Sequence, residues 1–428
     1  MGVGSGRLSA VAREPAWFGQ PPGLTVLFLT NMWETFSYYG MRALLVYYMT
    51  KHLLFTQSHS SFVYGAYTAC AYFTPIVGGM IADRYLGKTR AITIGASVMA
   101  MGHFMMAFEP LLYPALATIA LGNGLFLPSL PSQVGDLYRP GDPRRAVAFN
   151  IYYVGINIGG FLAPLICGTL GEVYGWHYGF AAAGIGMVIG LVIYLSGRRH
   201  LPQPPPRRPV SDEPPRSGFD RRTLMVLFGI GLSVTVFRAA YEQVGNTVAL
   251  WADTGVDRAA GAFLIPMTWF QSLNPLFVML LTPPLLAYWR RRAEQPAAKR
   301  MALGAALVGG AYLLLAAVVV LAAGERAAWA WLALFFLVFT FGELLILPTG
   351  LSLFARLAPA RLGATTVAAW FLVIFSGSLS AGFVGMLWGR LPAAPFFLLL
   401  AAIAATAGLL LRALDRATHS LENASIRG

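Results

Sequence analysis

The sequence predicts an all-α membrane protein with twelve transmembrane helices arranged in two six-helix halves. Of its 428 residues, 57% are hydrophobic and only 11% are charged, and the mean hydropathy is +0.62. Apolar runs of about 20 residues, enough for a helix to cross about 30 Å of hydrocarbon, alternate with short polar breaks. Runs such as 91–108 and 301–321 greatly exceed the roughly ten residues of a barrel strand, so they predict helices.

Twelve stretches fit this description, and the basic residues around them predict the topology. Placing both termini and the even-numbered loops in the cytoplasm gathers most Lys and Arg residues on that side. The net charge of +13 therefore reflects topology, and no nucleic-acid partner is expected. We expect a multi-pass protein in the lipid bilayer of the bacterial inner membrane, with cytoplasmic termini and no cleaved signal. The predicted spans are 24–50, 61–82, 91–109, 112–135, 146–171, 176–196, 223–252, 260–289, 299–322, 328–356, 362–388 and 393–413.

Residues 197–222 interrupt the apolar pattern. They contain the run PQPPPRRP and few apolar side chains, so they cannot form a span. Proline favours an extended, semi-rigid course, and the arginines favour the cytoplasmic side. We predict a cytoplasmic linker between an N-terminal half, 1–196, and a C-terminal half, 223–428. The alternative is a ligand for an SH3-type domain.

Five acidic or basic residues, all Glu or Arg, lie well inside the predicted spans and away from their ends. An ionisable residue at membrane depth is costly, so it marks a transport path, a binding site or an ion pair. Glu34 and Arg42 share the first helix, and Glu343 is an unpaired acid in the span 328–356. Arg238 precedes Glu242 by four residues, which places both on one face of the seventh helix. These residues are the first candidates for a functional site.

Six helices, a linker and six further helices form the plan of the major facilitator superfamily. The loop GMIADRYLGKTR, residues 79–90, resembles the cytoplasmic signature of that superfamily, in which an acid and basic residues around a tight turn hold two helices together. The chain further resembles the proton-dependent oligopeptide transporter family over nearly its whole length. Segments in family order carry this resemblance: 34–42, 72–79, 153–159, 241–246, 270–275, 341–344 and 370–372.

The first-helix motif departs from this family in its coupling residues. The family pattern has two acids and an arginine in the first helix and a lysine in the fourth. Here Asn31 replaces the first acid, Thr35 replaces the arginine and Leu127 occupies the lysine position, so only Glu34 remains. Two readings stay open for Glu34: a neutral structural residue, or a single proton site.

The resemblance also implies roles for the remaining polar residues. Arg42 would meet the substrate carboxylate or pair with Glu242 at an outer gate, and Asn157, Asn274 and Glu343 would hold the ammonium end. For Arg238 two readings stay open: a local pair with Glu242, or a replacement for the lost positive charges. The predicted substrate-binding residues are Arg42, Tyr38, Tyr39, Tyr72, Asn157, Asn274, Glu343 and Trp370. The predicted proton-coupling or gating residues are Glu34, Glu242, Arg42 and Arg238.

The resemblance implies a secondary transporter of di- and tripeptides or peptide-like zwitterions that works by alternating access with altered proton coupling. The alternatives are an uncoupled facilitator or exporter of a peptide-like natural product or drug, and a receptor built on a transporter fold. The sequence has no nucleotide-binding loop and no metal-ligand cluster, so we expect neither enzyme activity nor a cofactor. We also expect a monomer. Cys70, Cys167 and His103 are interpreted as ordinary helix residues, with His103 hydrogen-bonded.

Overall fold

The computed structural model describes residues 19–139, 141–202, 220–291, 295–357 and 363–427. Within these residues each of the twelve predicted spans contains a long helix. Nine helical stretches meet both the length and the hydropathy needed to cross a membrane, and α1, α2 and α3 meet the length. The helices are α1 Pro22–Tyr47, α2 Gln57–Ile81, α3 Lys88–Met105, α4 Leu112–Asp136, α5 Arg144–Ala163, α6 Trp176–Gly197, α7 Arg221–Tyr241, α8 Thr247–Thr254, α9 Leu273–Arg290, α10 Ala297–Leu321, α11 Trp329–Leu357, α12 Gly363–Gly385 and α13 Ala393–Arg427.

The eighth predicted span, 260–289, is wrong at its start. Two-residue strands β2, Ala259–Ala260, and β3, Phe263–Leu264, pair antiparallel around Gly261, whose φ is +64°. A β-hairpin turn at positive φ suits glycine and stops a helix. Strands β1, Val256–Asp257, and β4, Ala327–Ala328, pair in parallel. The span itself begins with a 3₁₀ turn at Met267 and continues as α9.

The seventh span is also interrupted. Helix α7 ends at Tyr241, a 3₁₀ turn occupies Glu242–Gly245, and α8 continues to Thr254. Asn246 between them has φ −115° and ψ −92°, outside the helical region. The break therefore lies at Glu242, an acid already singled out by the sequence.

The chain packs as two compact units, whose bounds differ from the predicted halves. Unit 1 comprises Met1–Met41 and Thr74–Val210, and unit 2 comprises Arg42–Phe73 and Ser211–Gly428. Residues 42–73 belong to the predicted N-terminal half but pack with unit 2. The units describe packing in one conformation, so the division into 1–196, 197–222 and 223–428 stays a prediction.

In unit 1 the loop that carries the superfamily signature ties α3 to α4. Gly87 adopts φ +76° between α2 and α3. The adjacent Lys88 places its Nζ 2.6 Å from Asp136 Oδ2 at the end of α4. In the next loop, Asp142 accepts hydrogen bonds from the side chain and backbone of Arg144, and these lower the pKa of the Asp142 carboxyl. Basic and acidic groups thus pair locally at the ends of these helices.

In unit 2 aromatic side chains of α10, α11 and α13 form a continuous core. Tyr312 contacts Phe335 and Phe397 with ring centroids 5.3 and 6.4 Å apart, and its hydroxyl donates to Ala240 O at 2.7 Å. Aromatic pairs of this kind contribute about 0.5–1.5 kcal/mol beyond the area they bury. This core fixes the end of α7, which carries Arg238 and Glu242.

Residues 42–73 are held in unit 2 by polar contacts and by one close backbone approach. Ser61 donates to Asn246 Oδ1 at 2.9 Å, and the Tyr47 hydroxyl donates to Ala249 O at 2.6 Å. A Cβ on Gly65 would overlap the backbone of Gly382, so only glycine allows α2 and α12 to approach this closely. These contacts position Arg42 beside α7.

Candidate functional site

Two arginines share the carboxylate of Glu242 inside unit 2. Arg42 Nη2 pairs with Glu242 Oε2, and Arg238 Nη2 pairs with Glu242 Oε1. The side chains of Arg238 and Glu242 are only 3% and 2% exposed. The Arg238 pair lies within one helical turn of α7 and its 3₁₀ extension, whereas the Arg42 pair joins α1 to α7. Arg238 is thus a local partner of Glu242 in this conformation, which agrees with the first of its two readings, and its role in transport stays a prediction.

Aromatic rings and a glycine position the Arg238 guanidinium. Its Cζ lies 5.3 Å from the centroid of Tyr72 and 5.2 Å from that of Tyr241, which are distances of cation–π contact. Nη2 also lies 3.3 Å from Ser378 Oγ on α12. A Cβ on Gly377 would overlap the Arg238 stem, so this glycine provides its space. Tyr72, predicted to line the substrate site, thus contacts a cation in this conformation.

Arg42 is held from a second side by Tyr64 of α2. Its Nε donates to the Tyr64 hydroxyl at 2.7 Å, and its Cζ lies 5.2 Å from the centroid of the Tyr64 ring. Sequence reasoning missed Tyr64, because its position opposite Arg42 depends on how α1 packs against α2. The sequence signal that could have indicated a role for Tyr64 is its hydroxyl inside an apolar span.

Glu343 forms the centre of a second polar cluster in unit 2. Its Oε1 accepts from the Tyr241 hydroxyl at 2.8 Å, and its Oε2 accepts from Asn274 Nδ2 at 2.6 Å. Asn274 Nδ2 also lies 3.1 Å from Thr340 Oγ1. Among the described residues no Lys, Arg or His lies within salt-bridge distance of Glu343. Two neutral donors therefore orient this carboxylate, which has no salt-bridge partner in the described part of the chain.

Tyr241 connects the two clusters. Its ring faces Arg238, and its hydroxyl donates to Glu343. The network therefore has a cationic end, where two guanidiniums share one carboxylate, and an anionic end at Glu343. Tyr241 was part of a family segment, but sequence reasoning gave it no role. The sequence signal that could have indicated a role for Tyr241 is its position, directly before Glu242 and three residues after Arg238.

The candidate residues of unit 1 occupy α1 and α5. Glu34 is buried, and the Thr35 hydroxyl donates to its Oε2 at 3.4 Å. No cation lies within salt-bridge distance of Glu34 in the part of the chain that the structure describes. Asn31, at the position of the lost first acid, accepts from the Tyr152 hydroxyl at 2.8 Å. The surviving acid is thus buried without a counterion, as the departures from the family pattern predict.

The remaining predicted residues of unit 1 have mixed environments. Tyr38 and Tyr39 form an edge-to-face pair with centroids 5.4 Å apart, and Tyr39 is 37% exposed. Asn157 donates through Nδ2 to Tyr153 O, one turn earlier in α5, at 2.9 Å. Its side-chain oxygen is then the atom suited to accept from a cation.

Trp370 and His103 lie in settings that the sequence did not reveal. Trp370 is buried in the core of unit 2, with its ring 5.1 Å from Phe354 and packed into the space left by Gly350. His103 is fully buried in α3, and among the described residues neither ring nitrogen has a hydrogen-bond partner. The prediction of a hydrogen-bonded His103 is therefore wrong, because no polar group reaches it.

The two cysteines have different environments within their helices. Cys167 is buried, as expected for a packing residue, whereas Cys70 is exposed, so the packing interpretation is wrong for Cys70. Both are free thiols.

In the described residues, twelve long helices with buried ion pairs and acids without a salt-bridge partner are typical of a membrane transporter of the major facilitator class. A model of the POT family, PTR2, matches residues 89–213 and 216–393. A di-/tripeptide transporter of Lactococcus lactis subsp. cremoris is 32% identical over 84% of this chain and 88% of its own. The chain belongs to the POT family, and it is a membrane transporter rather than an enzyme.

Solved structures agree with this assignment. The crystal structure of a peptide transporter POT in complex with sulfate superposes with a TM-score of 0.87 at 29% identity, covering 96% of this chain and 98% of that one. A POT family transporter in complex with 5-aminolevulinic acid gives a TM-score of 0.87 at 25% identity, covering 94% and 98%.

Proposed function

We propose that this transporter carries di- and tripeptides or peptide-like zwitterions across the bacterial inner membrane by alternating access. One observation carries the proposal: unit 2 joins a pair of arginines around Glu242 to an uncompensated carboxylate at Glu343 in a single network. A zwitterion presents one charge of each sign, which suits a site with a cationic and an anionic end. The 5-aminolevulinic acid bound by a relative likewise has an amine and a carboxylate.

Each end of the substrate then has an assigned partner. The ammonium group replaces the missing counterion of Glu343, with the side-chain oxygens of Asn274 and Asn157 as further acceptors. The carboxylate binds Arg42, which must exchange Glu242 for the substrate. Tyr38, Tyr39 and Tyr72 contribute aromatic surface that tolerates varied side chains. Trp370 stays a proposed substrate-binding residue, and it is buried against Phe354 in the described structure.

The Arg42–Glu242 pair is proposed as the moving contact of the gate. It joins α1 to the end of α7, so separation of these helices breaks it. The Arg238–Glu242 pair lies within α7 and the 3₁₀ turn that directly follows it, so we expect the pair to survive that motion. Glu242 therefore keeps a counterion in both states, and opening the gate does not leave a bare carboxylate in a medium of low dielectric constant.

This retained counterion supports altered proton coupling. A buried carboxylate without a cation can avoid the cost of its charge by binding a proton, whereas a paired one has no such need. Glu34 and Glu343 lack a cation in the described structure, so they are the proposed proton sites, and Glu242 is a gating residue only. Proton symport through these acids is the proposed mode.

The alternative is an uncoupled facilitator or an exporter of a peptide-like compound. The neutral residues Asn31, Thr35 and Leu127 favour it, because each stands where the family pattern has a charge. It differs from symport in its energy source: the substrate's own gradient suffices.

Transport by the purified protein in liposomes separates these modes. With the interior alkaline, radiolabelled Ala-Ala should accumulate above the external concentration, and a protonophore should abolish the accumulation. Counterflow of the same dipeptide without a pH gradient reports transport itself. Counterflow without accumulation would establish the uncoupled alternative, and absence of both in a folded protein would refute peptide transport.

A further inference from the structure

Helices α10 and α13 of unit 2 border an open groove of about 600 Å³. The groove shares no lining residue with the candidate substrate site. Small residues line it, among them Ala306 and Gly310 on α10 and Ala405 on α13. A Cβ on Gly310 would have no neighbour within 4 Å, so space rather than a side chain lies over this glycine. The groove is therefore a real depression in the helix surface.

The rim of the groove is apolar and exposed. Leu303 and Leu313 on α10 and Leu409 on α13 are 54%, 51% and 72% exposed. In a membrane-spanning helix pair such a surface faces hydrocarbon, because water would leave these leucines unfavourably hydrated. The occupant of the groove must therefore be largely apolar.

One end of the groove is positively charged. Lys299 and Arg412 line it together with Gln295, and all three lie at the end where α10 begins. Neither cation has an acidic partner within salt-bridge distance among the described residues. An apolar channel that ends between two uncompensated cations complements a molecule with a hydrocarbon tail and an anionic head.

The length of the groove matches one leaflet of a bilayer. Helix α10 rises about 21 Å from Lys299 to Leu313 at 1.5 Å per residue. Half of a bilayer that is about 40–45 Å thick with its head groups is about 20–22 Å. The charged end therefore reaches head-group depth when the apolar end lies near the bilayer centre.

We propose that this groove binds an anionic phospholipid, with one acyl chain along α10 and α13 and its phosphate between Lys299 and Arg412. The predicted topology places the start of α10 in the cytoplasm, so the lipid belongs to the cytoplasmic leaflet. This lipid site is separate from the peptide site. The proposal does not depend on whether transport is proton-coupled.

Native mass spectrometry of the full-length protein in detergent tests the head-group contact. Phosphatidylglycerol and phosphatidylcholine with identical acyl chains are added in equal amounts, and the bound fraction of each is measured. The wild type should retain phosphatidylglycerol preferentially. Lys299→Gln and Arg412→Gln should each lower that preference about fivefold, the effect of one basic residue near an anionic surface. Arg416→Gln removes an exposed charge of α13 outside the groove lining and should leave the preference unchanged.

A groove-filling variant tests the acyl-chain contact independently. Gly310→Leu fits the open space and should reduce retention of both lipids. Ala402→Leu adds similar bulk, three carbon atoms rather than four, at an exposed α13 position outside the lining and should leave retention unchanged. Size-exclusion chromatography and dipeptide counterflow verify the fold of each variant. Equal retention of both lipids by the wild type, or identical retention by the Lys299→Gln, Arg412→Gln and Arg416→Gln variants, would overturn the proposal.

Discussion

Replacing Glu343 by glutamine should remove the recognition of the substrate's ammonium group without disturbing the packing around it. The Glu343 carboxylate accepts from Tyr241 and Asn274, and it has no cation within salt-bridge distance in the described residues. Glutamine has nearly the same shape and retains one acceptor oxygen, so the packing of α11 should persist. The charge available to an ammonium group disappears.

The magnitude follows from the nature of the contact. Removing one partner of a buried, hydrogen-bonded charge pair costs about 2–5 kcal/mol, and even the lower figure is about thirtyfold in affinity. Glu343→Gln should therefore weaken binding of Ala-Ala by about thirtyfold or more. N-acetyl-Ala-Ala lacks the ammonium, so its already weak binding should change less than about threefold, the scale of a neutral hydrogen bond.

Competition for counterflow in liposomes measures both affinities, and Arg42→Gln provides the mirror experiment. Arg42 is assigned to the carboxylate, so Arg42→Gln should weaken Ala-Ala strongly and spare the peptide amide Ala-Ala-NH₂. Arg42 also pairs with Glu242, so its replacement can change binding of every peptide. The comparison therefore uses the ratio of the affinities for the free and the blocked peptide within each variant. Equal loss for free and blocked peptides in both variants would refute the assignment of the two ends.

Two further predictions concern Arg238. Arg238→Met should make uptake depend more strongly on the imposed pH gradient, because Glu242 then has only Arg42 as a counterion. Arg238→Lys retains the charge and should resemble the wild type. Identical pH dependence of uptake in all three proteins would contradict the role of Arg238 as a retained counterion. Gly377→Ala should lower the thermal unfolding midpoint through overpacking of about 1–3 kcal/mol against the Arg238 stem. The closest contact is with the Cβ of Arg238, which alanine would retain, so the control is an Arg238→Gly background. Gly377→Ala should cost less there, and an unchanged cost would show that the clash lies elsewhere.

The spans could be predicted from the sequence because twenty apolar residues have few alternatives to a transmembrane helix. The predicted start of the span 260–289 is wrong because the apolar composition there favours a helix, whereas the backbone conformation forms a hairpin. Residues 260–266 are largely apolar, yet Gly261 at positive φ forms a hairpin turn. Hydropathy measures apolar content and carries no information about a φ angle.

The candidate site was predictable only where its geometry is local. The pairing of Arg238 with Glu242 follows from four-residue spacing on one helix. Contacts of Tyr64 with Arg42 and of Ser378 with Arg238 require the packing of α2 and α12, which no spacing rule supplies. The unpartnered ring nitrogens of His103 show the same limit, since a helix position does not reveal which polar groups are within reach.

The charges of the four ionisable groups in this network explain why a neutral zwitterion suits it. Arg42 and Arg238 offset Glu242 and Glu343, so the four groups sum to zero although they are unevenly distributed. In the proposed mode a zwitterion bound along the network would supply a cation to Glu343 and an anion to Arg42, and the sum would stay zero. A substrate with a net negative charge would leave one charge uncompensated in a medium of low dielectric constant, which is costly. Arg238 is essential to this balance, because without it the two acids would face a single arginine and the network would need a proton to become neutral.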